Sequence, residues 1–446
     1  MASSPSEINA QVDEAVAKAA PDVPGDWRSP ADADAIRVGW IDSFDDATLT
    51  ALVAEAQANN RNLAAAEANV QRARALARQA GAALTPDVLL SVGADRSARL
   101  GGDQTSPNST FSAGLQVSWE ADVWGRVRSG VRAAQASAQA VEADYRFAQY
   151  SLAANTAIAY FTAIEANLQT QIARDTRGVL EETVRIVEAQ YEHGLASSQD
   201  ISLARSDLAA ARERVTALEG AQRNALRALE LLLGRYPGAD LSVRQALPPV
   251  PPPPPAGVPS DILERRPDLI AAERRVAAAF NAVEQAQAAR LPTLGLTGTI
   301  GGASDSLSSL LSSENAVWRL GTNLLAPIFD GGRRREAVTI TTAEQEQALA
   351  AYGDTALRAF AELEINLDQG VVLDRREDDL TEAADQAFKA YEFADILYRE
   401  GESSLLDLLN VQQRVIGTRS LLSSVQRLLL VQRVRLHLAL GGSWEQ

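Results

Sequence analysis

Residues 118–126 read SWEADVWGR, and the pattern of the chain changes at this stretch. From Phe111 to Trp119, apolar and polar side chains alternate, which is typical of a β-strand with one apolar face. From Arg126 to Glu192 the chain runs for 67 residues without a proline, roughly 100 Å if it is helical. The stretch therefore predicts a strand that turns through Gly125 into an exceptionally long helix.

A second predicted helix follows the long one. After Gly194, the segment from 199 to 233 carries apolar residues three and four positions apart, beginning with Leu208, Ala211 and Val215. This spacing is that of a coiled-coil seam. We therefore expect the two helices to form a long hairpin whose turn contains Gly194.

The same features recur in the second half of the chain, which is the signature of an internal repeat. Three landmarks recur at nearly one offset: Gly125-Arg126 as Gly332-Arg333 and Gly194 as Gly401, both 207 residues later, and Pro86 as Pro292, 206 residues later. We expect each half to contain a helix, two strands, a long helix, a turn and a helix.

The repeat divides the chain into four predicted segments. Residues 1–44 are an N-terminal extended segment, and 45–247 are the first structural repeat, beginning with one helix from Leu49 to Leu84. Residues 248–261 form a proline-rich linker, which is stiff and extended because of its polyproline run. Residues 262–446 are the second repeat, in which the last strand is expected to reach Phe329.

Composition excludes several function classes. A net charge of −16 and a pI of about 4.8 argue against nucleic acid as a partner. The chain has no cysteine and only two histidines, His193 and His437, so we expect neither a disulfide, nor a Cys or multi-His metal site, nor a cofactor. No apolar window of about 18 residues predicts a transmembrane helix, and no enzyme motif is present, so we expect no catalytic activity.

The strands and hairpins leave two architectures open. Four strands per chain cannot close a membrane barrel, since the smallest have about eight. If the strands span a membrane, several chains must share one barrel, with the helical hairpins extending away from it as a duct. The alternative is a soluble coiled-coil scaffold protein with a small sheet.

Specific motifs favour the duct. Residues 262–273, ILERRPDLIAAE, resemble the "LLxRRPDIxxAE" signature of TolC-like outer-membrane efflux proteins, in particular their lipoprotein branch in resistance-nodulation-division systems. Residues 327–333, PIFDGGR, are similar to another motif of that family, as are residues 118–126 and the closing residues 439–444, ALGGSW. These matches cover both halves in the family's order.

The resemblance implies a fold, a function and partners. The fold would be mainly α with a small β part: long hairpins forming a periplasmic α-barrel, and four strands contributing to a shared trimeric transmembrane β-barrel. The homotrimer would be the outer-membrane channel of a tripartite efflux pump, a passive exit duct for small molecules. It would contact outer-membrane lipid, a periplasmic adaptor and an inner-membrane pump. A type I protein-secretion exit duct, which shares the fold, remains an alternative.

The same resemblance implies site residues at the two helical turns. The adaptor would dock at the tips, which carry six residues that match the family's tip motif: Tyr191, Gly194, Leu195, Tyr398, Gly401 and Ser403. Just inside the tips, Asp200 and Asp407 match acidic residues that line the closed entrance in relatives, and Asn410 stands where TolC has a further aspartate. The alternative roles are a left-handed helix end for the glycines, a helix cap for Asp200 and a solvated charge for Asp407.

The resemblance also implies a location. Family members reside in the outer membrane of Gram-negative bacteria and extend into the periplasm. The start at Met1 has neither a basic beginning nor an apolar core, and no cysteine precedes Trp40. We therefore expect the signal peptide and the lipidation cysteine to be absent from this chain.

Overall fold

The computed structural model describes residues 5–31, 39–98 and 107–442. Its helices are α1 (Pro5–Ala19), α2 (Ala47–Asn59), α3 (Arg61–Ala82), α4 (Arg126–Glu192), α5 (Ser198–Leu232), α6 (Asp261–Arg265), α7 (Pro267–Ala288), α8 (Arg333–Arg399) and α9 (Leu405–Ala439). Its strands are β1 (Asp87–Ala98), β2 (Pro107–Ala121), β3 (Thr293–Ser304) and β4 (Ala316–Leu325). Met1–Ser4 and the closing Ser443 and Trp444 lie outside the described residues.

The two halves contain equivalent elements. Helices α4 and α8 have 67 residues each, α5 and α9 have 35 each, and the bounds of both pairs differ by 207. Helices α3 and α7, and strands β1 and β3, have equal lengths and bounds that differ by 206. The long helix α4 spans Arg126–Glu192, as its proline-free sequence predicts. Because the offset between the halves rises from 206 at β3 to 207 at α8, the second half contains one extra residue between these two elements.

The chain divides into two compact units. The first contains 1–21, 68–144 and 268–356, and it holds the four strands as one antiparallel sheet in the order β1-β2-β3-β4. The second contains 22–67, 145–267 and 357–446, and it holds both helical turns. Among the described residues, no helix is both long and apolar enough to cross a bilayer.

The N-terminal segment contains a helix, which corrects the expectation that residues 1–44 are extended. Helix α1 places Ile8 and Val12 four residues apart, on one face. Both side chains are buried in a cluster with Val276 of α7 and Tyr352 of α8. The helix forms because this apolar face covers an apolar surface, although most of its other residues are polar.

The first helix of the first repeat is interrupted, which corrects the predicted single helix from Leu49 to Leu84. Asn60 has an extended backbone conformation between α2 and α3. Its side-chain oxygen accepts hydrogen bonds from the N–H groups of Asn62 (3.0 Å) and Leu63 (3.1 Å), so it caps α3. Its amide donates to the Leu232 carbonyl at 2.9 Å, which fixes the break against the end of α5.

The segment before α2 is anchored by aromatic side chains. Trp40 and Phe44 are almost fully buried in the main apolar cluster of the second unit. The Trp40 ring stacks on the His437 imidazole, with 5.7 Å between their centroids. Burial, together with the nearby positive charge of Arg433, lowers the pKa of His437 to about 4, so the ring is neutral at neutral pH.

The polyproline linker is also fixed to the second unit. Arg433 of α9 is buried, and its Nε donates to the Pro251 carbonyl at 3.0 Å. The same guanidinium contacts the Asp374 carboxylate at 3.1 Å, which balances its charge. A buried arginine therefore joins the linker to both long helices of the second repeat.

Candidate functional site

The sheet separates apolar from polar side chains. Residues that pair directly in the ladders share a face, so the register assigns each position to one of two faces. One face carries mostly apolar side chains: Val88, Leu90, Val92, Phe111, Ala113, Leu115, Val117, Trp119, Leu294, Leu296, Ile300, Trp318, Leu320 and Leu324. The other carries mostly polar ones: Asp87, Ser91, Asp95, Ser112, Gln116, Ser118, Glu120, Thr297, Thr299, Arg319 and Asn323.

The apolar face is open. Val92, Trp318 and Leu320 are 75%, 78% and 77% exposed, and the other large side chains of this face on β1 and β4 are also exposed. A contiguous apolar surface of this kind is the mark of contact with lipid or with another protein. Strands of 10 to 15 residues are long enough to cross a bilayer when tilted. The pattern is therefore that of a membrane-spanning sheet with a lipid face and a water-filled side.

Each face has exceptions. The polar face also carries Leu89, Val317 and Leu325, and the apolar face also carries Arg96, Ser109, Ser304 and Thr322. Arg96 is near the end of β1 that is remote from the helices, where a long side chain can reach the membrane surface with its charge.

Both helical turns use a glycine in the left-handed region. Gly194 and Gly401 have φ values of 73° and 79°. The Leu195 N–H donates to the Gln190 carbonyl at 2.8 Å, and the Glu402 N–H donates to the Leu397 carbonyl at 2.9 Å. These bonds satisfy carbonyls at the ends of α4 and α8, and glycine adopts the required backbone conformation without strain.

Asp200 and Asp407 occupy equivalent capping positions. Each carboxylate accepts a hydrogen bond from the hydroxyl of the preceding cap serine, Ser197 at 2.8 Å and Ser404 at 2.6 Å. Each serine hydroxyl accepts in return from the N–H of its aspartate at 3.2 Å. Both aspartates therefore belong to a capping box. The backbone and side-chain hydrogen bonds from Ser197 lower the pKa of Asp200, so its carboxylate is charged at neutral pH.

A tyrosine links the two hairpins near the turns. The Tyr398 hydroxyl of α8 donates to the Gln190 Oε1 of α4 at 3.0 Å. Tyr398 is only 7% exposed and packs in one apolar cluster with Leu180, Val187 and Leu408. Burial raises the pKa of Tyr398, and the negative charge of Asp200 raises it further. The tips of the two hairpins are thus held together by an apolar cluster and a hydrogen bond.

The predicted site residues fall into two groups. Asp407 and Asn410 line one groove of about 740 Å³ between α8 and α9, together with Arg414 and a set of small side chains. Asp200 belongs to the other hairpin, and its negative charge raises the pKa of the Tyr398 hydroxyl. At the tips, Tyr191 is 48% exposed and Leu195 is 79% exposed, whereas Tyr398 is buried.

A polar cluster between α4 and α9 was not predicted. Gln169 donates to the Ser420 carbonyl at 2.9 Å, and the Ser420 hydroxyl donates back to Gln169 Oε1 at 2.6 Å. The Ser424 hydroxyl donates to Glu165 at 2.9 Å. Its sequence signal is weak, because single polar residues on long helices are common on solvent-facing sides.

No cluster of His, Asp or Glu side chains in the described ranges is arranged to hold a metal ion.

Comparison with known proteins gives consistent matches over nearly the whole chain. A family model described as outer membrane efflux protein matches twice, at residues 52–235 and 258–442. The chain is 33% identical to the pyoverdine export outer membrane protein OpmQ of Pseudomonas aeruginosa, covering 95% of this chain and 91% of that protein. It is 31% identical to the cation efflux system protein CusC of Escherichia coli, covering 92% and 89%.

The fold is also that of a solved channel. The structure of the outer-membrane channel OprN superposes with a TM-score of 0.89, at 29% identity, covering 96% of this chain and 98% of that one. The match extends over both units of the chain, since either unit alone is smaller than the matched portion.

Proposed function

The chain belongs to the family of outer membrane efflux proteins, and from this premise we propose that its two hairpin turns form both the periplasmic gate and the docking surface for an adaptor. It is the outer-membrane channel component of an efflux pump in a Gram-negative bacterium, extending into the periplasm. The predicted fold class is confirmed: a mainly helical chain with long hairpins and four strands that contribute to a trimeric barrel.

One observation carries the duct function: the sheet has an exposed apolar face, a polar face and two open edges. A soluble scaffold gains nothing from exposing side chains such as Trp318 and Leu320. In a closed barrel of several copies, lipid covers the apolar face, and the polar face surrounds the exit path. The fold thus supports passage of solutes and supplies no energy of its own.

We propose small molecules as the cargo. The names of two relatives refer to different solutes, pyoverdine and cations, while sharing this fold. The polar face of the sheet carries serine, threonine, glutamine and asparagine together with three acidic residues and one arginine. A mixed polar surface of this kind suits a water-filled duct for polar solutes. Selection of the cargo is then a task for the pump.

Opening of the duct requires the two hairpins to separate at the tips. The Tyr398–Gln190 hydrogen bond and the apolar cluster around Tyr398 oppose this separation. The closed and splayed arrangements are then two states whose balance a docking partner can shift. Tyr398 has a matched counterpart for mutagenesis. Tyr191 is the equivalent residue of the first repeat, and its side chain is exposed.

Tyr398→Phe should increase the fraction of time that the channel is open, and so its mean current, in a planar bilayer. Loss of one hydrogen bond of about 1 kcal/mol in each of three copies favours the splayed state. Tyr191→Phe is the matched control, because the same hydroxyl is removed at the equivalent, half-exposed position. Equal mean currents in both variants and the unmodified protein would show that Tyr398 does not contribute to the gate.

The aspartates near the turns supply fixed negative charge. Asp200 and Asp407, repeated in each copy of a trimer, would give six carboxylates near the periplasmic entrance. Such a concentration of charge attracts cations and resists closure. Asn410 lies beside Asp407 on the same groove and adds a polar, uncharged position.

Asp200→Asn combined with Asp407→Asn should lower the cation preference of the channel. The cap serines are unchanged, and the asparagine carbonyl oxygen can still accept the hydrogen bond from the serine N–H, so this variant removes charge and leaves the helix ends capped. The companion variant, Ser197→Ala with Ser404→Ala, removes the cap and keeps the charge. The reversal potential in a salt gradient should shift only in the aspartate variant, and a shift only in the serine variant would contradict the assignment.

The exposed surface of the first turn is the better candidate for adaptor docking. Leu195 is 79% exposed, and its backbone N–H, not its side chain, makes the turn hydrogen bond. Gly194 and Gly401 are explained by turn geometry, and Ser403 is half-buried, so these residues shape the surface. An exposed leucine at a tip is available for an apolar contact with a partner.

Leu195→Ser should weaken efflux in cells without changing the amount of trimer. Removing one exposed leucine from an interface costs about 1–2 kcal/mol of binding free energy. Val179→Ser, an exposed apolar position on α4 away from the turn, serves as the control. Efflux would be measured by drug or dye accumulation and adaptor association by cross-linking, and an effect no larger than that of the control would rule out docking at Leu195.

A further inference from the structure

A cavity of about 180 Å³ lies between the two hairpins, within the second unit of the chain. Its apolar walls belong to three helices: Ile172 and Val179 of α4, Phe388 of α8, and Val415 and Ile416 of α9. Val179 and Phe388 are 40% and 45% exposed, so the cavity is open to solvent beside them. An apolar cavity with an opening can take up the apolar part of a small molecule.

The size of the cavity suits a single aromatic ring. An apolar cavity of about 150 Å³ is large enough to hold benzene. The cavity between the hairpins is slightly larger, and the side chains of Phe388 and Tyr391 form part of its wall. Aromatic rings gain from contact with one another beyond the burial of their surface. We therefore expect one aromatic ring to be the apolar part of the ligand.

Two polar side chains of α9 line the cavity and lack a partner. Gln412 is only 6% exposed, and its amide makes no hydrogen bond among the described residues. Arg419 has no carboxylate within ion-pair distance in the same part of the chain. A side chain that is nine-tenths buried keeps little contact with water, so an amide without a protein partner is unfavourable. Both side chains are therefore available to a ligand.

The first repeat shows which partner Arg419 lacks. Arg212 is its equivalent, 207 residues earlier, and the Arg212 guanidinium lies 3.7 Å from the Glu181 carboxylate. The residue equivalent to Glu181 in the second repeat is Phe388. The second repeat has therefore kept the arginine and replaced its anion by an aromatic ring that lines the cavity.

The cavity thus combines apolar walls with an unpaired cation and an unpaired amide. Gln412 and Arg419 are seven residues apart, which is about 10.5 Å along α9. We propose that the cavity binds a small aromatic carboxylate with a hydroxyl group on the opposite side of the ring, as in 4-hydroxybenzoate. The carboxylate pairs with Arg419 and supplies the missing anion, and the hydroxyl exchanges a hydrogen bond with the Gln412 amide.

Asp175 of α4 is the charged residue of the lining that opposes an anion. Its carboxylate accepts a hydrogen bond from Gln171 Nε2 at 2.8 Å and has no ion pair within the described ranges. Because like charges repel, Asp175→Asn should strengthen the binding of benzoate. The same variant should weaken the binding of benzylamine, which has the same ring and a positive charge, so the sign of the change identifies an anion site.

An occupied cavity would also hold the hairpins together. Helix α4 belongs to the first hairpin, and α8 and α9 belong to the second, so a bound ring contacts both. A ligand that binds only the closed arrangement shifts the balance toward it. This effect rests on the gate proposed above, whereas binding to the cavity does not.

Binding would be measured by saturation-transfer NMR titration of the detergent-purified channel. We expect saturable binding in the millimolar range, with 4-hydroxybenzoate bound more tightly than benzoate. Arg419→Gln should weaken the binding of both by about two- to fivefold. Arg212→Gln is the matched control, because this arginine already has a carboxylate partner and lies outside the lining, and it should leave binding unchanged.

Gln412→Leu tests the other end of the cavity. It should remove the preference for 4-hydroxybenzoate over benzoate, because leucine cannot exchange a hydrogen bond with the hydroxyl. A retained preference overturns this contact. Three results overturn the site itself: no saturable binding, tighter binding of benzylamine than of benzoate, or equal effects of Arg419→Gln and Arg212→Gln.

The effect on the gate has a separate measurement. In a planar bilayer, 4-hydroxybenzoate should lower the mean current relative to acetate at the same concentration, since acetate carries the charge without the ring. Arg419→Gln should reduce this effect in proportion to the loss of binding. Binding without a change in current overturns only the link to the gate, so failure of the site and failure of the gate are distinguishable.

Discussion

Leu115→Arg should reduce assembled channel in the outer membrane by tenfold or more, whereas Gln116→Arg should leave its amount close to that of the unmodified protein. The two residues are neighbours in the middle of β2, so they lie at nearly the same depth. Leu115 pairs with Leu90 and Ile300 on the lipid face, and Gln116 lies on the polar face. Comparing the two variants isolates the effect of side-chain direction, because both introduce an arginine at nearly the same depth.

The size of the effect follows from the cost of charge in lipid. An arginine on the lipid face near the bilayer mid-plane costs about 2–4 kcal/mol, and about 1.4 kcal/mol corresponds to tenfold in an equilibrium. A trimer carries three such side chains. The measurement is the amount of trimer in purified outer membranes on unheated gels. If both variants assemble equally well or equally poorly, the assignment of the two faces is wrong.

Asp46→Ala should lower the free energy of unfolding of the protein by about 3 kcal/mol. Asp46 is 5% exposed and caps α2 by accepting hydrogen bonds from the N–H groups of Thr48 (2.9 Å) and Leu49 (3.2 Å). Its other carboxylate oxygen accepts from the Tyr160 hydroxyl at 3.1 Å and from Arg244 at 3.0 Å. Alanine removes the cap and leaves the buried Tyr160 hydroxyl without this acceptor.

Asp46→Asn separates the two contributions. Asparagine keeps the cap through its carbonyl oxygen, and its NH2 group can donate a hydrogen bond to the Tyr160 hydroxyl. It should therefore lose only the interaction of the carboxylate with Arg244, whose side chain is 45% exposed. A solvent-exposed partner limits that interaction to about 1 kcal/mol. Thermal unfolding of the detergent-solubilised protein would be compared for both variants. Equal losses of stability in the two variants would mean that the carboxylate charge of Asp46, and not its cap and its contact with Tyr160, makes the larger contribution to stability.

The long elements were predictable because few residues can interrupt them. Between Arg126 and Glu192 there is no proline. Gly194 adopts the left-handed backbone conformation that ends the long helix and begins the turn. Strand β4 was expected to reach Phe329 but ends at Leu325, two residues before Pro327. Because proline lacks an N–H group, the paired part of the strand ends early in the single chain.

Two other differences come from contacts that local pattern does not reveal. Asn60 interrupts the first helix because its amide reaches the Leu232 carbonyl, 172 residues away. Adjacent Asn59 and Asn60 are the signal that was available, since asparagine is a poor helix former. In α1, Ile8 and Val12 lie one helical turn apart, but their burial depends on α7 and α8.

The candidate site was predictable in its positions and not in its contacts. The repeat and the family motif locate Asp200 and Asp407, and the cap serines three residues earlier were visible in the sequence. The hydrogen bond between Tyr398 and Gln190 joins residues of two different hairpins that are 208 positions apart in the sequence. Such a contact depends on how the hairpins pack, which helical periodicity does not specify.

The chain builds its channel only together with other copies of itself. Native mass spectrometry of the detergent-purified protein tests this assembly, since each chain has a mass of 47.6 kDa. We predict a particle with the mass of three chains, in which the edges of β1 and β4 are paired between copies. A particle with the mass of one or two chains, retained under conditions that preserve other outer-membrane proteins, would contradict the shared barrel.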